Sequence, residues 1–210
     1  MKPLHEFEVV TCADGSTLKD PITGQPMHSA IGPLEEARQI YVGPSRLEAR
    51  LADAGSPLIL WDVGMGIAGN AAAALALQGS RPLEIHSFEN DLAGIRTALG
   101  ALSTFPHLQM LEPAVRRLLE TGRAQVGPHE WHLHDGDFRQ ALKKAPPAEV
   151  LFFDFYSPRI CGELWSVPVM QAIRARSPGA TLVTYSAATP VRLALLLSGW
   201  WVGRPGTGAP

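Results

Sequence analysis

Cysteine is almost missing: Cys12 and Cys161 are the two in 210 residues. Two thiols make no disulfide framework and fit a reducing compartment. No run of about 18 apolar residues occurs, which excludes a membrane-spanning helix. The opening Met1-Lys2-Pro3-Leu4-His5-Glu6 has no apolar signal-peptide core. A soluble, cytoplasmic protein is expected. Charge of one sign is missing too, since 18 Lys+Arg stand against 20 Asp+Glu. No global basic field therefore advertises a nucleic-acid partner. The charges are unevenly placed, however. Residues 1–110 carry 7 basic and 12 acidic side chains, and residues 111–210 carry 11 and 8. A polyanion would meet mainly the C-terminal half. With 46% hydrophobic and 18% charged residues, disorder and fibrous structure are excluded.

Residues 1–56 are punctuated by glycine and proline and read as an N-terminal extension, a hairpin (Glu6 to Leu18) followed by a helix near Leu34–Tyr41. From Pro57 to residue 210 short apolar runs alternate with helical stretches. The runs are Leu58–Asp62, Leu83–Glu89, Glu130–His134, Glu149–Asp154 and Ala180–Tyr185, with the start of another at Trp200-Trp201-Val202. Helices are expected from the Ala71–Ala74 run to Gln78, over Asp91–Ser103, Pro113–Thr121, Phe138–Lys144, Trp165–Arg176 and Pro190–Ser198. This alternation predicts an α/β domain, a doubly wound and mostly parallel sheet covered on both faces. A final strand is missing from the pattern.

The strongest local signal is Asp62-Val-Gly64-Met-Gly66-Ile-Ala-Gly69-Asn70, between a strand and a helix. Glycines allow a tight turn and close backbone approach, and the helix start offers free N–H groups. Glu89 ends the next strand, 20 residues after Gly69, where an acid accepts hydrogen bonds from ribose hydroxyls. The pattern predicts a nucleoside-bearing cofactor. Asp62, Glu89, Asp135 or Asp137, and Asp154 stand at neighbouring strand ends and read as a negative cup, which suits a cationic sulfonium better than a pyrophosphate. S-adenosyl-L-methionine is therefore the expected cofactor, with Asp135 or Asp137 placed to meet the adenine amine. Asp154 opens the loop Phe155-Tyr156-Ser157-Pro158, where an acceptor would face the cofactor. Its carboxylate could orient or deprotonate an amine, and the two rings could stack on a flat base.

These stretches together resemble the methyltransferase domain of the MnmC family, enzymes of tRNA wobble-uridine modification. The resemblance rests on Met27-His28-Ser29-Ala30-Ile31-Gly32-Pro33-Leu34-Glu35-Glu36-Ala37, on Asp62–Asn70 and on Gly136-Asp137 with Phe138–Leu142. It rests most on Phe153-Asp154-Phe155-Tyr156-Ser157-Pro158 with Glu163-Leu164-Trp165, and on Ser177–Ala188 with Val191-Arg192. It spans roughly residues 14–208. It implies a Rossmann-like class I methyltransferase fold and methylation of the amine of 5-aminomethyl-2-thiouridine in tRNA, without a metal. By this resemblance Asp154 is catalytic, and Asp62, Gly64, Gly66, Asn70, Glu89, Asp135, Asp137 and His28 bind the cofactor. Phe155, Tyr156, Pro158 and Arg159 contact the substrate.

The sequence departs from the family at three places. Phe155 replaces a glycine where the acceptor should enter, Asp62 stands in place of Glu, and Arg159-Ile160-Cys161-Gly162 replaces a Lys/Asn-containing piece. Two other classes stay open: a non-catalytic or divergent methyltransferase-like binding protein, and an NAD(P)-dependent oxidoreductase using the same glycine turn. The second lacks a Tyr-x-x-x-Lys or a catalytic His pair. His129-x-x-His132-x-His134-Asp135 fits no standard zinc spacing and is set aside as a metal site. Basic residues including Arg116, Arg117, Arg139 and Arg159 offer a tRNA-facing surface, most of it readable as solvated helix. The edge left by the missing strand leaves a homodimer open.

Overall fold

The computed structural model describes residues 7–203. Six strands form the central sheet, and two more make a separate hairpin. The hairpin is β1 (Glu8–Cys12) with β2 (Gly15–Lys19), antiparallel and paired Glu8 to Lys19. Glu6, where a longer hairpin was expected to begin, lies outside the described residues. The sheet contains β3 (Leu58–Val63), β4 (Leu83–Glu89), β5 (Arg123–Val126), β6 (His129–Asp135), β7 (Val150–Phe153) and β8 (Thr181–Val183). Their order is β5-β6-β4-β3-β7-β8, parallel throughout except for β5, which runs antiparallel to β6.

The order follows from hydrophobic patterning. β3 and β7 are apolar on both faces and sit in the middle, where helices cover both sides. Side chains alternate along each strand, so one face collects Leu58, Leu60, Ile85, Val150 and Phe152, and the other Trp61, Val63, Phe88, Leu151 and Phe153. The first face packs on the Ala-rich helix Gly69–Leu75 and helices Ala93–Gly100 and Glu112–Thr121. The second packs on helices Phe138–Ala141, Val167–Arg176 and Thr189–Leu197. Each large side chain fully buried there stabilises the fold by about 1.5–3 kcal/mol relative to exposure.

The N-terminal segment is built into the first core. Leu18, Tyr41, Leu47 and Leu51 are fully buried with Leu58 and Phe152. Asp14, in the hairpin turn, accepts hydrogen bonds from the backbone N–H of Leu34 (3.0 Å) and Glu35 (3.1 Å), capping helix Pro33–Ala37 from 20 residues away. Arg38–Val42 continues that helix as a π-turn.

Two expectations need correction. No strand forms at Trp200–Val202: Trp200 is buried, its indole N–H donating to the Met170 carbonyl (3.1 Å), while Trp201 is 98% exposed. The chain turns there to cover helix Val167–Arg176 instead of extending the sheet. Conversely β5 forms where no strand was expected, because its alternation Arg-Ala-Gln-Val is mostly polar and only its pairing with β6 reveals it.

Candidate functional site

Strands β3, β4 and β6 step outward in one direction and β7 and β8 in the other, so the sheet reverses winding between β3 and β7. A crevice opens at such a switch point, beyond the carboxyl ends of the strands. A cavity of about 460 Å³ lies there. The turn after β3 forms its floor. Gly64 has φ +92°, and a Cβ on it would lie 2.4 Å from the Asp154 carbonyl oxygen. The first glycine is thus needed to let the turn after β3 cross the loop after β7.

Of the residues singled out in the sequence, Gly64, Gly66, Asn70, Glu89, His28, Asp154, Phe155 and Tyr156 line this cavity. The Glu89 carboxylate accepts hydrogen bonds from the backbone N–H of Gly66 (3.0 Å), Asn90 (2.9 Å) and Asp91 (3.0 Å), which ties the two turns together. Burial raises its pKa against those three donors. The Asn70 amide donates to Asp154 Oδ2 at 2.8 Å. Burial pushes the Asp154 carboxyl up to about 6. His28 hydrogen-bonds Thr17 Oγ1 at 3.0 Å, and burial holds its pKa at about 4, so its imidazole is neutral at pH 7.

The other named residues lie elsewhere. Asp62 is fully buried beneath the turn and does not line the cavity. Its Oδ2 accepts from Ser87 Oγ (2.7 Å), Oδ1 has no hydrogen-bond partner among the described residues, and burial pushes its pKa to about 7. A group half protonated at neutral pH and walled off by the turn makes a poor counter-ion for a cofactor. Asp135 is exposed, and Asp137 caps helix Phe138–Ala141, accepting from Arg139 N (2.8 Å) and pairing with the Arg139 guanidinium. Both sit outboard on β6, outside the cavity lining, because the crevice opens at β3 and β7. Pro158 and Arg159 also stand outside it, Arg159 exposed to solvent.

The negative cup is nonetheless present, with other members. Asp20, Glu36 and Asp91 join Glu89 and Asp154, and among the described residues no Lys or Arg lines the cavity. Asp20 and Glu36 come from the N-terminal segment, which runs from β2 through Gln25, Met27 and His28 over the mouth. Glu36 lies in the stretch Met27–Ala37, its one signal in the sequence, and Asp20 had none. A cluster of five carboxylates without a cation fits a positively charged nucleoside and opposes a pyrophosphate. Phe155 does not plug the mouth. Its ring packs edge-on against Phe153 (5.2 Å) and Phe138 (5.6 Å), and the Tyr185 hydroxyl donates to its carbonyl at 3.0 Å.

The histidine run divides. His129 Nδ1 accepts from the Leu83 backbone N–H (2.9 Å), away from the others. His132 and His134 instead meet His86 and Glu84 from β4. No helix among the described residues is long and apolar enough to cross a membrane.

Comparison with known proteins agrees with the site. Residues 108–209 match the family of S-adenosyl-L-methionine-dependent methyltransferases. The tRNA 5-methylaminomethyl-2-thiouridine biosynthesis bifunctional protein MnmC of Aromatoleum aromaticum is 30% identical, over 84% of this chain and 30% of its own length. That of Delftia acidovorans is 29% identical, over 87% of this chain and 30% of its own length. The chain thus spans about a third of these relatives. The crystal structure of MnmC2 from Aquifex aeolicus superposes with a TM-score of 0.76 at 26% identity, covering 95% of this chain and 66% of that one. Spermidine synthase of Thermotoga maritima, at 13% identity and a TM-score of 0.52, shares the fold alone. Neither an oxidoreductase nor a non-catalytic binding module finds support among these matches. The switch-point crevice and its acidic lining fit these matches: the chain carries an S-adenosyl-L-methionine-dependent methyltransferase domain similar to that of MnmC.

Proposed function

We propose that the domain methylates the exocyclic amine of 5-aminomethyl-2-thiouridine at the tRNA wobble position. The observation that carries this reading is Asp154, held by Asn70 at the mouth of a cavity rich in carboxylates. Bound S-adenosyl-L-methionine supplies an electrophilic methyl group on a cationic sulfur. Glu89 and the Gly64–Gly66 turn would hold its nucleoside, while Asn70 and His28 would line its methionyl side. Asp154 Oδ2 takes the Asn70 amide, and the carboxylate would accept a hydrogen bond from the acceptor amine. Attack by the nitrogen lone pair would form the N–C bond as the cofactor leaves as a neutral thioether, and the surplus amine proton would pass to Asp154. Positioning the amine in line and excluding water is the remaining contribution of the protein. Tyr156 and the folded-back Phe155 leave room beside Asp154 for a flat base. Arg159, exposed three residues after Tyr156, would meet phosphate.

The test is incubation with methyl-labelled cofactor and bulk tRNA from cells lacking the modification. Label should enter tRNA and be lost with the Asp154→Asn variant. A protein that binds S-adenosylhomocysteine but labels no tRNA would overturn the acceptor, leaving the cofactor reading intact.

A further inference from the structure

We propose that Glu84, His86 and His132 form a binding site for a divalent transition-metal cation of the zinc type, separate from the cofactor cavity. One ligand atom from each of the three lies within 4.8 Å of the others. The topology makes this grouping. β4 and β6 are parallel neighbours with His86 opposite His132 and Glu84 opposite Glu130 in register, so all four side chains emerge on one face. The spacing of the histidines along β6 alone conceals the site, because two of its three ligands come from β4.

The donor set is suited to such an ion. Two imidazoles are borderline donors that zinc, nickel and copper take and that magnesium and calcium do not prefer, and zinc also accepts the carboxylate as a third ligand. His86 is held as a metal-binding histidine would be. It is 4% exposed, its Nδ1 lies 2.8 Å from His134 Nε2, and its Nε2 lies 2.9 Å from Glu84 Oε1. An outer hydrogen bond on the far nitrogen fixes ring orientation and presents the near nitrogen to the ion. A metal would replace the proton between His86 and Glu84. Zinc–ligand bonds of about 2.0–2.1 Å draw donors closer together than they stand now. Glu84 and His132 are both partly exposed and can swing by side-chain rotation. The His132 ring stacks on His86 with centroids 4.7 Å apart, so it must turn to aim its nitrogen inward. Glu130, 3.3 Å from His132 Nε2, or a water completes the shell. Arg123 opposes the ion, since it pairs with His132 in the β5–β6 register. Glu84 and Glu130 outweigh it by one charge.

The site lies three residues before Glu89 on β4, about 10 Å from the cofactor rim. Its role is to clamp β4 to β6, and methyl transfer does not pass through it.

The experiment titrates the tag-free chain with zinc by calorimetry and with cobalt(II) by visible absorption. One equivalent should bind saturably, with the intense cobalt bands of a low-coordinate nitrogen and oxygen site. His132→Ala and Glu84→Gln should each weaken binding at least tenfold, and Arg123→Ala should strengthen it several-fold. Absence of saturable binding overturns the proposal, as does unchanged affinity in the first two variants. Displacement of the ion by S-adenosylhomocysteine would place it in the acidic cavity and overturn it as well.

Discussion

Asp154 and Asp137 are the same residue type in similar places, each just past the carboxyl end of a parallel strand, yet their fates are opposite. Asp154 is tucked into the crevice where the sheet reverses, beside the Asn70 amide and the Tyr41 hydroxyl, with burial pushing its pKa up to about 6. Asp137 lies outboard, just past β6, and is paired with Arg139, which holds its carboxyl below the usual range. A strand-end carboxylate becomes chemically useful where the winding reverses and helices diverge, because there it is desolvated and not neutralised by a paired cation. At the flank of the sheet the same group caps a helix.

The comparison can be broken by exchanging the two. Asp154→Asn should lower methyl transfer by about 100-fold or more while leaving S-adenosylhomocysteine binding within a few-fold. Asp137→Asn should leave transfer within about twofold. Comparable losses in both, measured by label incorporation, would erase the distinction.

The glycines beside these acids form a second pair. Gly64→Ala adds a Cβ 2.4 Å from the Asp154 carbonyl oxygen at φ +92°, whereas Gly136→Ala, at φ +116°, meets nothing within 4 Å. The first should cost about 3 kcal/mol and lower Tm by about 6–12 °C. The second should cost about 1 kcal/mol of backbone strain, lowering Tm by about 2–4 °C. Thermal unfolding of both variants decides.

Acidity sharpens the contrast. The folded pKa of Asp154 is raised to about 6 and that of Asp62 to about 7, above unfolded values near 3.8. The native state therefore holds more protons than the unfolded state between about pH 4 and 7, and this pair makes stability fall as pH rises through that window. Cofactor affinity should move the opposite way. Ionised Asp154 attracts a sulfonium, so S-adenosyl-L-methionine should bind about tenfold tighter at pH 8 than at pH 5, and uncharged-sulfur S-adenosylhomocysteine less so. Equal slopes in calorimetry would remove Asp154 from the sulfonium's surroundings. The smallest effect is expected at Asp62. Asp62→Asn should change S-adenosylhomocysteine affinity by no more than about twofold, since the side chain is sealed under the turn, hydrogen-bonded to Ser87.

The central strands were legible because β3 and β7 carry apolar runs that a covered sheet explains, and β4 sets Leu83, Ile85 and Phe88 within seven residues. β5 was not, since four mostly polar residues have no pattern until a partner strand pairs with them. Within the site, Gly64, Glu89 and Asp154 could be found by their spacing from strand ends. Asp20 and Glu36 could not, because they reach the cavity through a fold-back of the N-terminal segment that no local periodicity encodes. Asp62 was misplaced for a related reason: position at a strand end says nothing about whether the following turn passes over or beside the side chain.

By itself the chain's order of residues determined the alternation of strand and helix, the glycine turn and the acidity around it, all properties set within a few neighbouring positions. Tertiary structure alone decided which carboxylates share the crevice, which are walled off or spent on arginine, and which histidines stand together across β4 and β6. Those outcomes depend on strand order and on how far each group is removed from water, quantities that arise when distant segments meet.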